Sequence, residues 1–201
     1  MAQRRFPIEK HDWHYGDPSE KAEIYAEAEV DDSGQITQLV KLVIIAGAQV
    51  DCDGSEDSPR IDPTGRSDTA LSKQSNPAWQ GKGKFVDSRE VPFFVLPLNW
   101  AEVLKSNLNV YQEVKLGDIA RITYGPDHVY AIFADRGGKN RKRIGEASLK
   151  VVQDLDKTKN CTTGIASGVT YEIVLDSEKL EATTDYQSIQ DRGAQVFALL
   201  R

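Results

Sequence analysis

Histidine and cysteine are scarce in this chain: three and two among 201 residues. Zinc and similar metals need such ligands in sets of three or four at close, regular spacing. His11 and His14, three apart around Asp12, with His128 far away, make no such set, and no metal is expected. Cys52 and Cys161 can pair in an oxidising compartment, closing a long loop, or stand as two separate thiols. The sequence leaves both open. Apolar runs long enough to span a bilayer are lacking too, since the longest, Leu39 to Val50, is interrupted by Lys41, Gly47 and Gln49. The opening MAQRRFPIEKHDW has two arginines but no apolar segment behind them, so no secretory signal is read there. A Gly-x-Ser-x-Gly elbow, a phosphate loop and a dinucleotide fingerprint are all missing, and no cofactor is expected. Positive charge is not in excess: 31 acidic residues face 25 basic ones, for a formal charge of -6. That argues against nucleic acid as a partner, because phosphate binding wants a basic surface.

What remains is an ordinary globular balance, 28% charged and 39% hydrophobic, in a chain long enough for one core. The first twenty residues, rich in His, Trp, Asp and Pro, read as an N-terminal arm, with a single domain over 21–201. Ile24, Ala26, Ala28 and Val30 alternate within Lys21 to Val30, which predicts a strand. Asp31-Asp32-Ser33-Gly34 is a turn, and Gln35 to Ala46 completes a hairpin. Asp51 to Gly83 is a long polar loop of the kind that is functional or disordered. The prolines of Val91 to Leu98, VPFFVLPL, suit an edge or barrel-rim strand. Further strands are expected at Glu113–Leu116, Ile119–Tyr124, Val129–Ala134 and Val169–Leu175. Ile144 to Leu155 has helical spacing, with Glu146 at its opening, and Tyr186 to Leu200 predicts an amphipathic helix. The sum is a mainly β (α+β) fold: one barrel-like β domain with two peripheral helices.

Three constellations carry chemistry. Asp135 and Glu146 stand on either side of a Gly-rich basic loop, within VYAIFADRGGKNRKRIGEAS, and two carboxylates so placed can act as acid and base on a glycosidic bond. Their structural alternative is a strand end and a negative charge in a helix's first turn. Asp51-Cys52-Asp53-Gly54 misses the EF-hand pattern, because glycine comes fourth rather than sixth. An acidic rim facing a ligand, or a solvated acidic turn, fits it better. Trp79, in Asn76-Pro77-Ala78-Trp79-Gln80-Gly81, is a platform for a sugar ring or a pin for its own loop, while Trp100 reads as core.

Taken together, these segments make the chain resemble the chitosanases of glycoside hydrolase family 75. The landmarks come in order: Val50-Asp51-Cys52-Asp53-Gly54, Asp68-Thr69-Ala70-Leu71, Val86-Asp87 leading to Val91-Pro92-Phe93-Phe94-Val95-Leu96-Pro97, Gly117-Asp118, Asp135-x-Gly with Ile144-Gly145-Glu146-Ala147-Ser148, and Gly168-Val169-Thr170-Tyr171. The likeness covers about 49–177. It implies a secreted, inverting endo-hydrolase of β-1,4-linked glucosamine polymers, with Asp135 and Glu146 catalytic and Thr69 in the family's Thr-containing motif. The acidic rim of Asp51 and Asp53, Thr69 and the aromatic face of Trp79 are expected to bind the substrate, and a monomer is expected. Glu146 is read as the acid and Asp135 as the base, with the reverse assignment open. One departure stands out. Gly137-Gly138-Lys139-Asn140-Arg141-Lys142-Arg143 is far more basic than the family's loop, so either the loop points away from the cleft or the glycan is not plain polyglucosamine. A toxin-type hydrolase of another wall glycan and a non-catalytic glycan-binding module on the same scaffold are the alternatives.

Overall fold

The computed structural model describes residues 2–75, 83–138, 142–178 and 185–200. The expected hairpin forms from β2 (Glu23–Val30) and β3 (Ile36–Asp51), antiparallel with Val30 opposite Ile36. The Asp31 carboxylate closes its turn by accepting from the N–H groups of Ser33 and Gln35 at 2.9 and 3.0 Å. The segment expected as an arm supplies β1 (Ala2–Pro7), paired along the other edge of β2. Beyond β1, Trp13 is 1% exposed and its ring lies 4.5 Å from that of Trp100.

At 16 residues, β3 is longer than the hairpin needs. Its second half closes a barrel with β7 (Glu146–Ser148), β4 (Phe93–Pro97), β6 (Asp127–Gly137), β5 (Ile119–Tyr124) and β8 (Ile165–Val174), and β8 pairs back onto β3. The result is a closed six-strand barrel with two extra strands, the mainly β architecture that the alternating patterns predict. Among the described residues, four helices accompany it where two were expected: α1 (Ser58–Ile61), α2 (Trp100–Leu108), α3 (Leu149–Leu155) and α4 (Tyr186–Leu199). Among the described residues, no helix is long and apolar enough to cross a membrane.

Successive side chains of a strand point to opposite faces, and the core divides accordingly. One cluster takes Leu42, Ile44, Phe94, Ala120, Ala131, Phe133 and Tyr171 from the strands of the barrel. The other takes the alternate residues Phe93, Val95, Ile119, Ile132 and Ala134, packed with Ile189 and Phe197 of α4 and with Leu71 and Val86. Gln190 of α4 locks this second layer by donating to the Tyr130 carbonyl and accepting from its N–H, at 2.8 and 3.0 Å.

Further expectations change. The Val91–Leu98 segment supplies β4, which is paired on both sides, with β6 and β7, and is not an edge strand. Glu113–Leu116 forms no strand; the segment is held instead by the Lys115 ammonium on Asp176 and Glu178, at 2.5 and 3.1 Å. Helix α3 starts later than its spacing suggests, because the Ser148 Oγ caps it by accepting from the Val151 N–H. Glu146 therefore belongs to a strand, not to a helical turn.

Cys52 and Cys161 form a disulfide, with a sequence separation of 109. It ties the end of β3 to the segment after α3. A loop of that size removes on the order of 4–5 kcal/mol of unfolded-chain entropy in the loop-closure account. The Cys52→Ala/Cys161→Ala variant is expected to lose about 2–5 kcal/mol in urea unfolding, and dithiothreitol should bring the wild type to the same midpoint. A midpoint unmoved by either treatment removes the disulfide from the stability of this fold.

Candidate active site

Val95 is the reference point. It is paired with Asp135 of β6 on one side and with Glu146 of β7 on the other. Asp135 reaches that position through a bulge. Phe93 faces Ile132 and Phe94 faces Phe133, but Val95 faces Asp135, so one extra residue, Ala134, is inserted in β6. Plain alternation after Phe133 and Ala134 would return Asp135 to the barrel interior. A bulge re-aims a side chain, and Asp135 lines an open cleft instead.

The backbone that the bulge disrupts is paired by a loop. Ala134 offers its carbonyl to the Leu71 N–H at 2.8 Å, and the Asp135 carboxylate accepts from the Ala70 N–H at 2.7 Å. Thr69 lines the cleft, but its buried hydroxyl is spent on the backbone, donating to the Leu71 carbonyl and accepting from the Val86 N–H. On the opposite wall, Gly145 adopts φ +77, and a Cβ there would sit 2.6 Å from the Gly47 carbonyl oxygen. Only glycine lets the chain pass this close to β3 and deliver Glu146 beside it.

The cleft encloses about 430 Å³, and among the described residues Asp51, Asp53, Asp62, Asp68, Asp135 and Glu146 line it against two cations, Arg66 and Arg136. Carboxylate oxygens of Asp51, Asp53 and Asp135 lie within 4.8 Å of one another. Asp51 accepts from the Asp53 N–H at 2.7 Å, and Asp53 from the Arg66 N–H at 2.6 Å. Hard oxygens at this spacing could hold a divalent cation. Each of the three already takes a backbone donor, which is also how a metal-free acidic cluster is held.

Burial, together with the facing charges of Glu146, Asp53 and Asp135, lifts the carboxyl of Asp51, 6% exposed, well above the usual range. Burial pushes Asp53 up to about 6, against the Arg66 N–H that favours its charged form. Asp135 is raised as well, again mainly by burial and against the N–H groups of Ala70 and Arg136. Asp51 and Asp53 thus hold protons at a pH where free carboxylic acids have released theirs.

Asp135, Glu146, Asp51, Asp53 and Thr69, all proposed from the sequence, converge on one cleft. Trp79 lies outside the described residues. Of the basic loop, Lys139, Asn140 and Arg141 also lie outside them, while Lys142 turns to Asp12, 2.5 Å away, and the Arg143 guanidinium donates to the side chain of Gln49. Arg66 and Arg136 had no signal in the sequence beyond adjacency to acidic motifs.

A family model described as fungal chitosanase of glycosyl hydrolase group 75 matches residues 48–197. The chain belongs to that family. It is a glycosidase of the chitosanase type, with a polysaccharide as its class of substrate. The match runs from the end of β3 through α4, beyond the span carried by the motifs alone. No curated protein sequence matches the chain.

A raised carboxyl pKa has a signed effect on stability. Between its ordinary value of 3.8 and about 6, folded Asp53 keeps a proton that the unfolded chain has released, so stability falls as pH rises through that window. In Asp53→Asn the amide oxygen still accepts from Arg66 while the buried charge is gone. With solvent screening discounted, it should gain about 1 kcal/mol at pH 7, or roughly 2–4 °C in Tm, and nothing near pH 4. An equal gain at both pH values would mean that charge is not the cause.

Proposed function

We propose that this glycosidase is an inverting endo-chitosanase acting on β-1,4-linked glucosamine, with Glu146 as general acid and Asp135 as general base. The register carries this reading: the two residues flank Val95 on neighbouring strands, and both side chains line the cleft. Two strand spacings set their backbones roughly 9–10 Å apart. That is compatible with the roughly 6.5–9.5 Å between carboxyl groups that leaves room for a water on the far face of the sugar.

We read the acid at Glu146, beside the buried Asp51, and the base at Asp135, whose carboxylate takes the Ala70 N–H. In the reaction, Glu146 gives a proton to the glycosidic oxygen as the bond to C1 lengthens. Asp135, steadied by the Ala70 N–H, takes one from the water that attacks C1; the protonated leaving sugar departs and C1 ends with inverted configuration. Asp53, with Asp62 and Asp68 along the same wall, would receive substrate ammonium groups. Thr69 serves by holding Ala70 and Leu71 against β6.

Asp135→Asn and Glu146→Gln should each lower kcat on chitosan by about 10²–10⁴-fold with Tm near that of the wild type. Proton NMR of the first products should show the α-anomer appearing first. Full activity in either variant removes that residue from the chemistry. A β-anomer first would mean retention, and cleavage of peptidoglycan but not chitosan would change the substrate.

A further inference from the structure

A second cavity adjoins the cleft at Leu98. It encloses about 200 Å³ and shares Leu98 and Arg136 with the first, and Trp100, Glu102, Tyr111 and Glu113 also line it. Its volume is below the roughly 300–1,000 Å³ that encloses a whole small ligand, which suits one added unit of a longer chain. Of the four large hydrophobic side chains left exposed among the described residues, two face this cavity: Leu98, 49% exposed, and Tyr111, 60% exposed.

Tyr111 is pre-positioned. Its hydroxyl donates to Glu113 Oε1 at 3.2 Å. The next residue, Gln112, donates to Asp176 at 3.2 Å, and Lys115 ties the same segment to Asp176 and Glu178. At its far end, buried Asp118 accepts from the Lys115 N–H and the Ser177 N–H, both at 2.8 Å. An aromatic face held in solvent at little further entropy cost is a ready stacking platform. Glu102 and Glu113 place two carboxylates around it, against the single guanidinium of Arg136 at the junction.

We propose that this cavity is an additional sugar subsite on the Leu98 side of the scission point, in which the ring of Tyr111 stacks on a pyranose and Glu102 and Glu113 receive its ammonium group. The proposal rests on the chitosanase reading above and extends it to chain-length preference. Two features carry it: the adjacency of the two cavities across Leu98 and Arg136, and an exposed aromatic side chain bracketed by carboxylates.

The test is kcat/KM on a ladder of fully deacetylated glucosamine oligomers, with product sizing. Tyr111→Ala should lose about tenfold on the longest oligomers (~1.4 kcal/mol), chiefly in KM, and markedly less on the shortest one cleaved. Its cut positions should shift. Tyr111→Phe keeps the face and should restore most of the loss. Glu102→Gln should weaken binding of long oligomers at low salt more than at high salt. A Tyr111→Ala profile that parallels the wild type at every length overturns the subsite alone. A wild type that cleaves none of the oligomers overturns the chitosanase reading and this subsite with it.

Discussion

The carboxyl groups of Asp51, Asp53 and Asp135 repel one another, yet the fold holds their oxygens within 4.8 Å. Two unit charges at that separation cost about 3–4 kcal/mol at an effective dielectric constant near 20, so something must oppose their spreading apart. Three devices do. Backbone N–H groups of Asp53, Arg66 and Ala70 donate into the cluster. The disulfide at Cys52 fixes the backbone between two of its members. Protons retained at Asp51 and Asp53 remove part of the charge. Rigidity and a raised pKa are therefore two responses to one constraint, and both serve acid–base chemistry.

The barrel supplies that rigidity at little cost in length. β3 reaches the cleft with Asp51 after pairing with β2 and β8, and its last three residues then pair in parallel with β7. β4 lies between β7 and β6, so Val95 fixes the spacing of the two walls. The loop through Thr69, Ala70 and Leu71 completes the arrangement by satisfying the polar groups that the bulge leaves open. Bulge and loop form one device, since a bulge without the loop would leave a buried carbonyl unpaired at a cost of about 1–3 kcal/mol.

Much of this was legible. Alternation at Ile24, Ala26, Ala28 and Val30 gave away the hairpin, and the carboxylates were nameable because acidic residues beside glycine-rich turns are conspicuous. The strand placement of Glu146 was not, since Ala147, Val151, Val152 and Leu155 have helical spacing and only the Ser148 cap shows where the helix begins. Nor was the bulge at Ala134: inserting one residue leaves no compositional trace, and its partners, Ala70 and Leu71, are more than sixty positions away. Two cysteines 109 residues apart cannot declare themselves paired, because contact across such a distance is a property of the closed barrel.

On the chitosanase reading proposed above, a cationic polymer entering this acidic, proton-retaining cleft would create a linkage of its own. An ammonium beside Asp53 favours that side chain's charged form and lowers its affinity for a proton. Substrate ammonium and proton would therefore compete for Asp53, whose carboxyl burial pushes up to about 6. The chemistry pulls the other way, because the acid must still carry its proton when the glycosidic oxygen arrives. The fold separates the two demands by depth. On the proposed reading, Asp53 would exchange its proton for an ammonium group along the wall, while Asp51, almost sealed from water beside Glu146, sits in the medium least able to stabilise a bare charge. Position within the cleft, rather than residue type, would then decide which carboxyl binds and which one stores the proton.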